Sequence, residues 1–220
     1  MIFLIWFGFS SLAWGNDWCT SKEASIVKTI RAIKSQTKQE TCKKAFRTMF
    51  FQSSLDLSNT GISDLRPLSK QKQLRVLLLR KNKITDVSPL SSLDKLTWLD
   101  LSNNPIEDIG PLDTLQQLST LWLSEVPISS LQPLASLQNI LYLSLRNTGV
   151  ENIESISLLV KLEFLGIAGN RIKDLRPLSK LENLKSVDIS SNPLVFCPER
   201  GMNNKWRDKC EQQLLEKRRN

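Results

Sequence analysis

The chain of 220 residues contains no histidine. That absence excludes Ser-His-Asp and Cys-His nucleophilic mechanisms, and it excludes a mixed Cys/His zinc site. Cysteine is scarce as well: four residues, none at the CxxC spacing of a metal or redox site. They fall into two pairs at opposite ends, Cys19 with Cys42 and Cys197 with Cys210. Two local disulfides are the simplest reading, and disulfides persist in oxidising compartments. A bridge closing the first of these loops would contribute about 3 kcal/mol by restricting the unfolded chain. A long apolar run is missing too. The opening MIFLIWFGFSSLAWG is uncharged and apolar, yet shorter than the roughly 20 residues that span a bilayer. It closes on Ala13-Trp14-Gly15, with small residues where a signal-peptide cleavage site needs them. Residues 1–15 are therefore read as a signal peptide, without the usual basic n-region, and the protein as exported: periplasmic, secreted or on the cell surface.

Charge of one sign is lacking only in the middle. The net charge is +8, but residues 53–194 carry fifteen basic and fifteen acidic side chains. The surplus belongs to the ends: a net +5 over residues 16–52 and +3 over 195–220. Solvated terminal helices explain it, and so does attraction of basic caps to an anionic surface. Nucleic acid is not expected as a partner of an exported, disulfide-bonded chain.

The sequence repeats itself every 22 residues. On the pattern L-x-x-L-x-L-x-x-N-x-I, one apolar slot holds Leu55, Leu77, Leu99, Leu121, Leu143, Leu165 and Val187. Two positions on, Leu57, Leu79, Leu101, Leu123, Leu145, Ile167 and Ile189 follow, all without a slip. A fixed period of this length marks a solenoid in which each repeat buries the apolar face of its neighbour. The L-x-L segment predicts a short strand with its leucines inward. The asparagine slot predicts a bend whose amide binds backbone groups. Prolines 67, 89, 111, 133 and 177 share one register, with Ser155 in the fifth place, which suits a short helix or 3₁₀ turn on the return. Seven stacked strands would form a parallel sheet roughly 30 Å long at 4.8 Å per strand.

The stretches LTWLDLSNNPIEDIGPLDTL (96–115) and LEFLGIAGNRIKDLRPLSKL (162–181) resemble leucine-rich repeat proteins of the bacterial internalin type. The resemblance covers residues 53–194. It implies an α/β fold, a right-handed solenoid with a curved parallel sheet, whose concave face binds another protein, and it implies no catalysis and no cofactor. Internalins continue into an immunoglobulin-like segment and often a sorting signal, so anchoring by that route is not expected from a C-terminus reading CEQQLLEKRRN. Residues 16–52 read as a helical N-terminal cap: Ile26, Ile30 and Ile33 recur at helical spacing, and Cys42, Phe46, Met49 and Phe50 share another helical face. Residues 195–220, with Pro198, Trp206 and the second cysteine pair, read as a small C-terminal cap and polar tail.

With the leucines inward, alternation assigns three outward columns. The end strands show only Ser and Asp there, whereas strands two to six show Val76, Leu78, Trp98, Trp122, Tyr142 and Phe164. Arg80 and Arg146 border these, Asp100 sits among them, and Gly166 and Ala168 predict a shallow open floor beside Phe164. An aromatic centre with a charged rim is the anatomy of a binding hot spot. The expectation is a protein or peptide ligand on this face. Two other uses stay open: shielding of the backbone, and a homodimer interface between concave faces in an envelope scaffold. A carboxylate hydrolase would have to use Asp56, Asp100 and Asp188, of which the first two would lie about 10 Å apart. The asparagine slot holds Thr60, Asn82, Asn104, Val126, Thr148, Asn170 and Asn192. Valine bonds nothing, which weakens the middle of the ladder by about 1 kcal/mol.

Overall fold

In the computed structural model, residues 16–198, 208, 210–212 and 214–215 are described. The expected signal peptide, Trp206 and most of the polar tail lie outside them. Three helices come first: α1 (Asn16–Cys19), α2 (Ala24–Thr37) and α3 (Cys42–Phe50). Seven three-residue strands follow: β1 (Ser54–Asp56), β2 (Val76–Leu78), β3 (Trp98–Asp100), β4 (Thr120–Trp122), β5 (Tyr142–Ser144), β6 (Phe164–Gly166) and β7 (Ser186–Asp188). They form one parallel sheet in sequence order. Every pairing joins residues 22 apart, from Leu55 with Leu77 through to Leu165 with Val187. The period of the sequence is thus the register of the sheet.

The first six repeats return through a 3₁₀ turn at the proline register, as at Arg66–Leu68 and Gln132–Ser136; Ser155 holds the equivalent place in Glu154–Leu158. Inward leucines from strand and return segment fill one continuous core from Ile26 to Cys210. After each outward column-three residue the chain turns through a left-handed residue: Asn59, Lys81, Asn103, Glu125, Asn147, Gly169 or Ser191. At the one glycine among these, Gly169, a Cβ would lie 1.8 Å from Asn147 Oδ1, so a larger residue there would have to displace the Asn147 amide.

The asparagines join neighbouring repeats. Asn82 Nδ2 donates to Leu79 O in its own repeat at 2.8 Å and to Leu57 O in the preceding one at 2.9 Å, while Oδ1 accepts from Ile62 N–H at 3.2 Å. Asn104, Asn170 and Asn192 repeat this three-way bond, each reaching one repeat back. Thr60 and Thr148 bond only a carbonyl of their own repeat, Leu57 O and Leu145 O, together with the next asparagine's Oδ1. Val126 is fully buried, and among the described residues no side chain reaches Leu123 O or Ile106 N–H. The fourth repeat therefore lacks an amide staple on both sides, toward the third and toward the fifth.

The caps dock by distinct means. Ile26, Ile33, Ala45 and Met49 are buried against the first repeat, and Cys19–Cys42 ties α1 to α3. Thr41 caps α3 through the Lys44 N–H. Asp64 in the first repeat is the polar hinge of this contact. Its carbonyl accepts from Thr29 Oγ at 2.8 Å and its carboxylate from Ser25 Oγ at 3.2 Å. Arg66 binds the same carboxylate and also pairs with Glu23 of the cap. Burial opposes ionisation of Asp64, but the bonds from Arg66 and Ser25 outweigh it, so its pKa lies below the usual 3.8. At the other end Phe196 bridges in parallel to Asp174, Arg176 stacks on its ring at 4.7 Å, and Cys197–Cys210 closes the cap. Among the described residues no helix is long and apolar enough to cross a membrane.

Two outcomes are expected. Val126→Asn would satisfy Leu123 O and the Ile106 N–H and add a second donor to Leu101 O, which Asn104 already reaches, at the loss of one buried valine side chain, worth about 1.5 kcal/mol; three bonds of about 1 kcal/mol each outweigh this. The thermal midpoint should rise by roughly 2–4 °C, and an unchanged or lower midpoint would contradict the staple account. Because the Asp64 pKa is depressed on folding, its contribution is complete above 3.8 and fades as the pH falls through the lower folded value. Protection factors of the α2 amides, taken relative to the intrinsic exchange rate at each pH, should therefore fall in acid, and Asp64→Asn should lower them already at neutral pH with less further change on acidification.

Candidate binding face

The concave face is built from the residues that alternate with the core leucines. Ladder pairing sets Val76, Trp98, Thr120, Tyr142 and Phe164 side by side, and next to them Leu78, Asp100, Trp122, Ser144 and Gly166. The backbone ladder continues past the strands, with Leu79 N–H to Asp100 O and Asn103 N–H to Ser124 O, so Arg80, Ser102, Ser124 and Arg146 form a third row. The result is a groove of about 660 Å³ over the third to sixth strands. Its walls are Trp98, Trp122, Tyr142 and Phe164, and Arg80 and Arg146 stand at its edge.

Three of those aromatics remain open to solvent despite their neighbours: Trp98 and Trp122 are each 38% exposed and Tyr142 44%. The two indoles meet edge to face with centroids 5.4 Å apart, a preferred geometry for rings of opposed quadrupole edges and faces. Thr120 lies between Trp98 and Tyr142 in the ladder and is nearly buried. Small residue below, large residues beside: the groove exists because the fourth strand offers threonine where its neighbours offer rings.

Of the nine expected contact residues, seven line this groove and two do not. Val76 and Leu78 sit at its second-strand margin, half-buried. Asp100 faces the groove but is only 5% exposed, so it forms floor rather than rim. Its Oδ1 accepts the Ser102 N–H at 2.9 Å, and Asp56 and Asp188 make the same bond to Ser58 and Ser190 at 2.8 and 3.2 Å. All three aspartates of that column thus close their own bends. They do not converge on one point as a hydrolytic pair would.

The open floor expected at Gly166 is filled. Arg146 runs across Gly166, whose missing Cβ would lie 3.1 Å from Arg146 Nε, and it pairs with Asp188 two strands away at 2.8 Å. Alternation showed that glycine leaves room, but not that a long side chain from the neighbouring strand takes it. Alternation also missed Asn103 and Glu125, which line the groove from just beyond the third row. Both are left-handed, at φ 58 and 59, which swings them off the alternating pattern. Their spacing of 22 residues was the available signal.

A family model for leucine-rich repeats in two copies matches residues 53–92, 72–114, 94–136 and 160–195, together more than half of the chain. Among solved structures, an internalin C2 from Listeria monocytogenes is 29% identical, with a TM-score of 0.59, over 76% of this chain and 85% of its own. This chain is a leucine-rich repeat protein of the internalin type. A second Listeria monocytogenes internalin, encoded by inlF, is 24% identical with a TM-score of 0.60, over 75% of this chain. The repeat protein spans only 56% of that longer internalin's length. No curated protein matches it in sequence. The leucine-rich repeat fold is that of a protein-interaction module, which agrees with an open groove of apolar walls on its sheet.

The contact between Arg146 and Asp188 is half exposed, where ion pairs are worth about 0.2–1 kcal/mol. A double-mutant cycle of Arg146→Met and Asp188→Asn should give a coupling in that range. In a Gly166→Val background the arginine cannot lie across the sheet, and the coupling should vanish. A coupling that survives Gly166→Val would show that the arginine takes another path.

Proposed function

We propose that this protein is an exported, non-catalytic module that holds a protein or peptide partner in the concave groove. One observation carries the reading: large rings gather on the inner strands, whereas the same columns hold only Ser and Asp on β1 and β7. A solenoid sheet needs no outward aromatics to fold, as those end strands demonstrate. Rings bury 150–250 Å² each on contact, and a patch of several exceeds what monomers ordinarily leave open. Trp122 and Tyr142 anchor the partner, Trp98 and Phe164 flank them, and Arg80 and Arg146 set its orientation. The two bridged cysteine pairs and the apolar opening of the sequence support export. The exposed cations of the cap helices, among them Lys28, Arg31, Lys43 and Arg47, would favour an anionic surface nearby. Because each outward aspartate is committed to a bend, binding is favoured over hydrolysis.

The test is affinity capture from cell-envelope extracts, wild type against Trp122→Ala combined with Tyr142→Ala. Both side chains point away from the core, so the variant should keep its melting point. Anchors of this kind are each worth about 2 kcal/mol or more, and the captured partner should bind the double variant roughly 100-fold to 1,000-fold more weakly. Unchanged affinity would refute the assignment. A stable dimer in light scattering that Trp122→Glu dissociates would instead make the groove a self-association face.

A further inference from the structure

Asp100 contributes more to the groove than its bend requires. Only Oδ1 is used, by the Ser102 N–H. Among the described residues no donor reaches Oδ2, and although the residue as a whole is only 5% exposed, this oxygen is not sealed off and opens into the groove that Asp100 lines. A carboxylate oxygen open to a groove with apolar walls is an acceptor that a partner's donor can reach. The matching aspartates on the end strands are not in this position: Asp188 receives Arg146 and the Ser190 hydroxyl as well, and Asp56 is exposed to water.

The surroundings of Asp100 define what would complete it. Trp98 adjoins it along the strand, and Trp122 stands beside it on the next strand with its indole 5.4 Å from that of Trp98. Tyr142 lines the same groove from the strand beyond Thr120. The faces of indole and phenol rings attract cations, most strongly when water is excluded. Three such rings lining one groove with an open carboxylate oxygen suit a positive group on an apolar stem. A metal ion is a poor fit, since the described residues hold no cluster of three or more metal-binding side chains. Of the groove's own cations, Arg146 is paired with Asp188, and among the described residues no ion pair joins Arg80 to Asp100.

We infer that the groove recognises a lysine or arginine side chain of its partner, with the stem between Trp98, Trp122 and Tyr142 and the charged head against Asp100 Oδ2. This rests on the concave-face reading above and adds the chemistry of the group bound.

The test uses small probes that need no knowledge of the partner. Nα-acetyl-arginine amide, Nα-acetyl-lysine amide and the neutral, nearly isosteric Nα-acetyl-citrulline amide are titrated into the full chain while the indole N–H resonances are followed by NMR. The two cationic probes should shift the Trp98 and Trp122 signals with affinities at least tenfold above that of the citrulline compound. Asp100→Asn keeps the bond to Ser102 N–H and should fold normally, yet lose that tenfold preference. Asp56→Asn, which alters the equivalent bend on β1, should leave the preference intact. Equal response to arginine and citrulline, response to neither, or a preference that persists in Asp100→Asn would each overturn the inference. The concave-face reading stands or falls separately, on whether Trp122→Ala with Tyr142→Ala abolishes partner capture. Retained capture would remove both, whereas lost capture with equal probe response would remove only the cation.

Discussion

The structure depends on one repeated hydrogen-bonding unit, the buried asparagine amide that binds two carbonyls and an N–H across successive repeats. A short strand of three residues has little pairing of its own. The bend after it carries backbone groups that point away from water, and leaving them unpaired would cost more than the strand contributes. The amide at Asn82, Asn104, Asn170 and Asn192 resolves this locally and fastens each repeat to the one before. Once the bends are satisfied, the leucines of strand and return segment stack without further polar demands. Apart from the aspartates that close their bends, the outward positions are then free to vary, and that freedom allows a binding face to be written there.

The repeat made most of the fold readable from the residues alone. A slip-free period of 22 fixed which residues face the core, and the strand pairing follows the same interval at every step. The return turns were visible through the prolines, and the first cap through the spacing of Ile26, Ile30 and Ile33. The groove was readable in part. Alternation says which way a side chain leaves the sheet, so it found the four rings. It does not say where a long or mobile side chain ends. Arg146 lying over Gly166 is therefore a fact of packing, decided by Asp188 two strands on. The low exposure of Asp100 is likewise a fact of packing: its place in the repeat is that of the exposed Asp56, but its neighbours across the ladder include Trp122. Asn103 and Glu125 escaped for a different reason, because a left-handed backbone breaks the two-residue alternation on which the columns rest.

The capping contacts follow another logic from the repeats. Within the solenoid every neighbour is a near copy, so the same bond can recur. At the first repeat the neighbour is a helix, and the contact is made by charges and hydroxyls around Asp64 instead. Ion pairing compensates the partial burial of that carboxylate, and the disulfide Cys19–Cys42 holds the helices that present its partners. The final repeat meets a ring stacked under Arg176 and a second bridge. Each end thus replaces repetition with covalent and electrostatic closure.

The missing staples at Val126 and Thr148 have a mechanical meaning. Repeats one to three are fastened to each other, as are five to seven, and the fourth stands between these two blocks without an amide link to either. Ile128 and Val150, flanking this place at the far edge of the sheet, are 9% and 8% exposed, where Ile62, Ile84 and Ile172 are sealed. At the strand that carries Trp122 the stack is therefore held by the backbone ladder and the leucine core. Trp98 and Tyr142 stand on the strands to either side of it, so the spacing of the groove's walls rests on those two interactions without the amide's help.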